Sequence, residues 1–175
     1  NDGLVSTASM MMGVSAVKTD VKSMLLTGFA GLVAGASSMA IGEFVSVYSQ
    51  VDVELAQTKR DRDKNGAGDE EGGGGRADKA NDLPSPVQAA AASALTFAVG
   101  AVVPLLAAGF IRSYRVRLGA ICAAVTLALL VFGLAGAKLG GVPVGRSAAR
   151  VLVGGWMAMA VTYGMMKAVS APVGF

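Results

Sequence analysis

The chain has 175 residues, 53% of them hydrophobic and 15% charged, with a net charge of +3 and a mean hydropathy of +0.57. That charge share lies well below the ~25% of soluble domains, and the apolar residues come in long blocks with most of the charge between them, the profile of an all-α, polytopic membrane protein one domain in size. Histidine is absent and Cys122 stands alone, which excludes disulfides and Cys/His zinc sites; so small and scattered a positive charge, without interleaved aromatics, speaks against nucleic acid as a partner.

The first apolar run, Leu4 to Val17, has fourteen residues, against the ~20 that a spanning helix needs. No basic leader or cleavage signature precedes it, so it does not read as a signal peptide. Either it is re-entrant or it is the remainder of a span truncated at its N-terminus. The second reading is preferred, and it places Asp2 inside the bilayer.

Four further blocks read as spans: Met24 to Tyr48, Val87 to Ile111 with Pro104 inside it, Val116 to Ala137, and Ala148 to Val169. With residues 1–17 they make five transmembrane helices in a single membrane domain. An odd number puts the termini on opposite faces. Nine Lys and Arg on the N-terminal side against six on the other place the N-terminus in the cytosol. The second span does not stop at the membrane: Val47, Val51 and Leu55 continue at i+4 spacing while Asp52, Glu54, Lys59 and Arg60 bring in charge. Met24 to about Lys59 is therefore expected as one helix of roughly 50 Å that protrudes into the cytosol. Residues 60–86, with Asp69-Glu70-Glu71 and four consecutive glycines, have a composition that buries no core and read as a disordered, Gly-rich cytosolic linker. No internal repeat of the kind that builds inverted-repeat transporters is visible.

Two acidic side chains fall within apolar stretches, Asp2 and Glu43, and no Asp or Glu follows Asp82. A carboxylate at membrane depth costs roughly 2.5–3.5 kcal/mol on insertion scales, so it is rarely there without a partner or a task. Spacing puts Asp2, Ser6, Ser9 and Gly13 on one helical face, which should meet protein or water rather than lipid. The alternative is that Asp2 caps a helix starting at Gly3. On the second span Gly28, Gly31, Gly35 and Gly42 share a face, and Gly31 with Gly35 forms a GxxxG pair suited to close helix packing. Met39 and Glu43 stand one turn apart, so a thioether and a carboxylate project from nearly the same side. A carboxylate suits Mn²⁺ and Fe²⁺, and the thioether's softness favours transition metals over Mg²⁺ or Ca²⁺. The other methionines sit in the first two spans and the last, where core filling is their ordinary use. Nucleotide-hydrolysing and hydrolytic motifs are missing, which argues against an enzyme.

Asn1-Asp2-Gly3-Leu4-Val5-Ser6-Thr7, and the run from Gly35 through Met39, Gly42 and Glu43 to Gln50, resemble the vacuolar iron transporter family, most closely its plant nodulin-like branch. The resemblance implies five membrane helices, a homodimer with its path at the subunit interface, and secondary transport of Fe²⁺, and often Mn²⁺, from cytosol to vacuole in exchange for protons. It implies a vacuolar membrane location with the C-terminus lumenal, and metal as cargo rather than a resident cofactor. The family's first-helix Asp matches Asp2 and its second-helix Met matches Met39. Two departures stand out. The family's glutamate two turns before that Met is Gly31 here, with Glu43 as a local substitute, and its cytosolic metal-binding domain is replaced by the Gly-rich linker. A non-transporting membrane scaffold, with the Gly faces serving assembly, is the alternative.

Overall fold

The computed structural model describes residues 1–64, 85–111, 113–141 and 143–173. Five helices follow in order: α1 (Asp2–Ser15), α2 (Val21–Lys64), α3 (Pro86–Gly109), α4 (Tyr114–Leu139) and α5 (Val144–Val173). No strand occurs among the described residues. The chain divides into two compact units, one of residues 1–36 and 95–175, the other of residues 37–94.

Three helices, α2, α3 and α4, are long and apolar enough to cross a membrane. Only 22% of the most apolar window of α3, and the same share of α4, is buried within the chain. The rest of their apolar surface faces outward, as lipid requires and water does not tolerate. The fourteen residues of α1 rise about 21 Å, short of a ~30 Å hydrocarbon core. α5, with 30 residues, has the length, but Gly154, Gly155, Trp156, Thr162, Tyr163 and Gly164 dilute its apolarity.

α2 is continuous for 44 residues and runs five residues past the expected end at Lys59. The i+4 apolar register and good helix formers carry it beyond the apolar stretch. Most of the expected linker, 65–84, lies outside the described residues. α3 runs through Pro104 without interruption.

In the first unit α1 is the central helix. Leu4, Ala8 and Met11 are fully buried on it and share a core with Met24 of α2, Ala108 of α3, Ile121, Val125 and Leu129 of α4, and Met159 of α5. Glycines set the closeness of these contacts. A β-carbon at Gly3 would run into the backbone of Phe97, 2.7 Å from its carbonyl carbon, and one at Gly100 would come within 2.9 Å of the Leu4 nitrogen. α1 and α3 thus cross backbone to backbone, a crossing that only hydrogen at both positions allows. Gly133 does the same for α4 and α5, where a β-carbon would meet Ala148 Cα at 3.1 Å. Trp156 Nε1 donates to Thr126 Oγ1 at 3.1 Å and adds a polar tie between those two helices.

Asp20 starts α2. Its Oδ2 accepts the Ser23 amide at 3.1 Å and the Ser23 hydroxyl at 3.3 Å, satisfying a donor that the helix itself leaves open. The Ser23 amide is the main reason its pKa lies below the ordinary value. A carboxyl depressed by folding stabilises the fold above its unfolded pKa and loses that contribution as pH falls through the lower folded one. Amide protection at Ser23 should therefore stay level from neutral pH down to about pH 5 and fall only below roughly pH 4. Hydrogen exchange in detergent checks this, and a decline already at pH 6 contradicts it.

Candidate functional site

Asn1 occupies the N-cap position of α1, without a side-chain cap bond, and Asp2 is the first helical residue. The cap reading of Asp2 is thereby corrected: its carboxylate serves a side chain instead, accepting the Ser6 hydroxyl through Oδ1 at 2.7 Å. The i, i+4 spacing makes that bond possible, and it fixes the carboxylate along the helix while leaving Oδ2 and the outward lone pairs open. Asp2 is exposed and Ser6 half-buried.

The rest of the expected face turns inward. Ser9 is buried and Thr7 fully buried, and neither hydroxyl has a partner among the described residues. Gly13 lies against α5, where a β-carbon would approach Thr162 Cγ2 at 2.9 Å and Met166 Cγ at 3.1 Å. The acidic end of the face is open and its far end is packed.

On α2 the glycine face makes contacts within the first unit as far as Gly35. A β-carbon at Gly28 would meet Leu105 and the Met11 sulfur at 2.7 and 2.8 Å, one at Gly31 the Met10 sulfur at 2.9 Å, and one at Gly35 the ring of Phe97. Gly31, where the resemblance implies a glutamate, is buried against a methionine of α1. Gly42 differs: a β-carbon there meets nothing within 4 Å among the described residues, so no neighbour in this chain requires a glycine.

Met39 is half-buried and Glu43 exposed, both on the part of α2 that belongs to the second unit. One turn further, Phe44 and Tyr48 stack at 6.1 Å between ring centroids. Among the described residues no three His, Cys, Asp or Glu come together as a metal-holding group.

Sequence reasoning missed Arg117, which it used only as one of the six Lys and Arg on the side opposite the N-terminus. The side chain is fully buried, donating from Nη2 to the Thr19 carbonyl at 2.7 Å and from Nη1 to that of Ile111 at 3.4 Å. A signal was present: Arg117, Ile121, Val125, Leu129, Gly133 and Ala137 form one i+4 series, and that series is the buried face of α4.

Long apolar helices turned apolar side out, around a glycine-crossed core, define a helical membrane protein. Comparison with known proteins narrows the class. The model of the VIT family matches residues 1–74 and 67–167. The chain is 65% identical over 167 residues to vacuolar iron transporter homolog 1 of Arabidopsis thaliana, covering 95% of this chain and 78% of that protein. It is 64% identical over 171 residues to homolog 3 of the same plant, with 98% and 80% covered. Homolog 5 of Oryza sativa subsp. japonica is 59% identical over 167 residues, with 95% and 75% covered. The chain belongs to the VIT family.

Proposed function

We propose that this protein carries Fe²⁺, and Mn²⁺ with it, from the cytosol across the vacuolar membrane. The observation that carries this reading is the identity of 65% across 95% of the chain to a protein named as a vacuolar iron transporter homolog. The chemistry agrees with it: Asp2, Met39 and Glu43 supply hard and soft donors on helices otherwise free of charge in their apolar stretches.

The finer reading is a homodimer that acts as a secondary transporter. All five helices belong to the membrane domain, α1 as a span shorter than the hydrocarbon core, with the N-terminus cytosolic and the C-terminus lumenal. In a two-fold dimer each copy contributes Asp2, Met39 and Glu43, giving four carboxylates and two thioethers around the axis. Gly42, open in the single chain, lies on the seam. Protons entering from the acidic lumen neutralise the carboxylates and release the metal, which makes the exchange a consequence of shared ligands. Glu43 takes the part of the carboxylate that Gly31 lacks.

Uptake of Fe²⁺ into proteoliposomes, with the interior acidified and the metal outside, tests the reading. Uptake that collapses when a protonophore dissipates the gradient supports proton exchange; uptake that ignores the protonophore removes it. Gly42, which no neighbour among the described residues requires, favours a second reading, a membrane scaffold in which the glycine faces serve assembly. No uptake of either metal by the intact protein selects the scaffold.

A further inference from the structure

The buried face of α4 opens on a cation. Arg117 has no exposed surface, and among the described residues it meets no carboxylate. Among the described residues its hydrogen bonds go to two main-chain carbonyls, those of Thr19 and Ile111, and its buried Nε finds no partner. Three residues before it, Tyr114 donates its hydroxyl to the Ser15 carbonyl at 2.8 Å, and its ring centroid lies 5.9 Å from Arg117 Cζ. Two side chains one turn apart on α4 therefore hold three separate pieces of backbone: the last residue of α1, the α1–α2 connection, and the connection that leads out of α3.

As packing alone this is a poor choice. A charge taken from water is offset well by an opposite charge and only in part by carbonyl dipoles, and an apolar residue of similar volume would hold the same place at less cost. The unsatisfied Nε adds to that cost. What such an arrangement does well is let go, because the guanidinium regains its hydration on release and offsets the bonds it gives up. Further along α1, six and eight residues before Ser15, Ser9 and Thr7 keep buried hydroxyls that have no partner among the described residues, a lining that can take up water.

We propose that Tyr114 and Arg117 form a clasp that closes the end of the bundle where α1 gives way to α2, and that its release exposes the inner side of α1 to water from that end. Arg117 is a positioning residue, not a ligand for cargo. The proposal rests on the transport reading only for what passes once the clasp is open; the geometry of the clasp does not depend on it. In the orientation proposed above, this is the lumenal exit.

The side chain of Ser15 is buried beneath the clasp, so a thiol placed there reacts only when the clasp opens. Ser15→Cys in a Cys122→Ser background, in sealed proteoliposomes, is labelled with a charged, membrane-impermeant methanethiosulfonate trapped inside, at the lumenal face, or added outside in parallel, and followed by mass. Leu129→Cys, buried three turns further along α4, reports general loosening. Tyr114→Phe leaves the ring and removes the hydroxyl that bonds the Ser15 carbonyl and also meets Tyr163, and it should raise the Ser15→Cys rate at least about fivefold, the factor that one net hydrogen bond puts into a two-state equilibrium. Arg117→Gln should raise it on the order of tenfold or more, since its bonds are charge-assisted. The Leu129→Cys rate should stay where it was in both. Fe²⁺ uptake by the unsubstituted protein is measured in the same vesicles: its absence removes the transport reading, while the labelling contrast still decides the clasp. Unchanged Ser15→Cys rates in both variants, or rates at Leu129→Cys that rise in step with them, overturn the clasp.

Discussion

Asp2→Asn will bring Fe²⁺ uptake close to background while leaving the protein folded and in the membrane. The substitution keeps the size of the side chain and an oxygen able to accept the Ser6 hydroxyl, now 2.7 Å from Asp2 Oδ1, so it removes charge and little else. One charge-assisted contact contributes ~1.5–3 kcal/mol, a factor of about ten to a hundred in an equilibrium constant, and a two-fold site loses two such contacts at once. Met39→Ala should act on selectivity first, because the thioether's preference is for softer ions: uptake of Fe²⁺ falls while any residual flux discriminates less against Mg²⁺. Glu43→Gln separates the local substitute from the family residue. A fall like that of Asp2→Asn places Glu43 on the path; normal uptake leaves the site to Asp2 and Met39. Wild-type rates for both Asp2→Asn and Met39→Ala would falsify the site as a whole.

What could be read from the sequence differs by kind of information. The long α2 was legible, because Val47, Val51 and Leu55 keep one helical register as charge appears around them, and the helix observed is Val21–Lys64. The Asp2–Ser6 spacing was legible too, and became a 2.7 Å hydrogen bond. The fate of Ser9 and Gly13 was not. A shared face says that residues point the same way, and only the neighbouring helix decides whether that direction is open, as at Asp2, or filled, as at Gly13 against Thr162. Arg117 shows a different failure. A charge count takes a cation near the end of a span as a marker of orientation, whereas the four-residue repeat of α4 puts this one on the buried face. Gly3 and Gly100 lie 97 positions apart in the sequence and meet across one helix crossing, a pairing that no local pattern encodes.

That crossing carries the largest expected effect on stability. In Gly3→Ala the new methyl group meets the backbone of Phe97, including its Cα at 2.9 Å, and no rotamer change can move a backbone aside. Over-packing costs typically 1–3 kcal/mol where side chains give way; here a helix must give way, so the loss should reach or exceed about 3 kcal/mol. Lipid offers no hydrophobic force to hold α1 and α3 together once their contact is spoiled. The measurement is unfolding in mixed micelles as the denaturing detergent fraction rises, followed by circular dichroism. Gly42→Leu makes the opposite prediction from the same reasoning. A β-carbon at Gly42 meets open space in the single chain, so a leucine there should leave the unfolding curve in place. If a second copy covers that face, the same leucine blocks its approach, and light scattering of the detergent complex should show half the protein mass. Gly3 then belongs to the fold and Gly42 to the assembly, two glycines kept for the same physical reason at different levels of structure. A dimer of full mass in Gly42→Leu moves the two-fold seam away from this face of α2, and with it the expectation that Met39 and Glu43 meet their counterparts there.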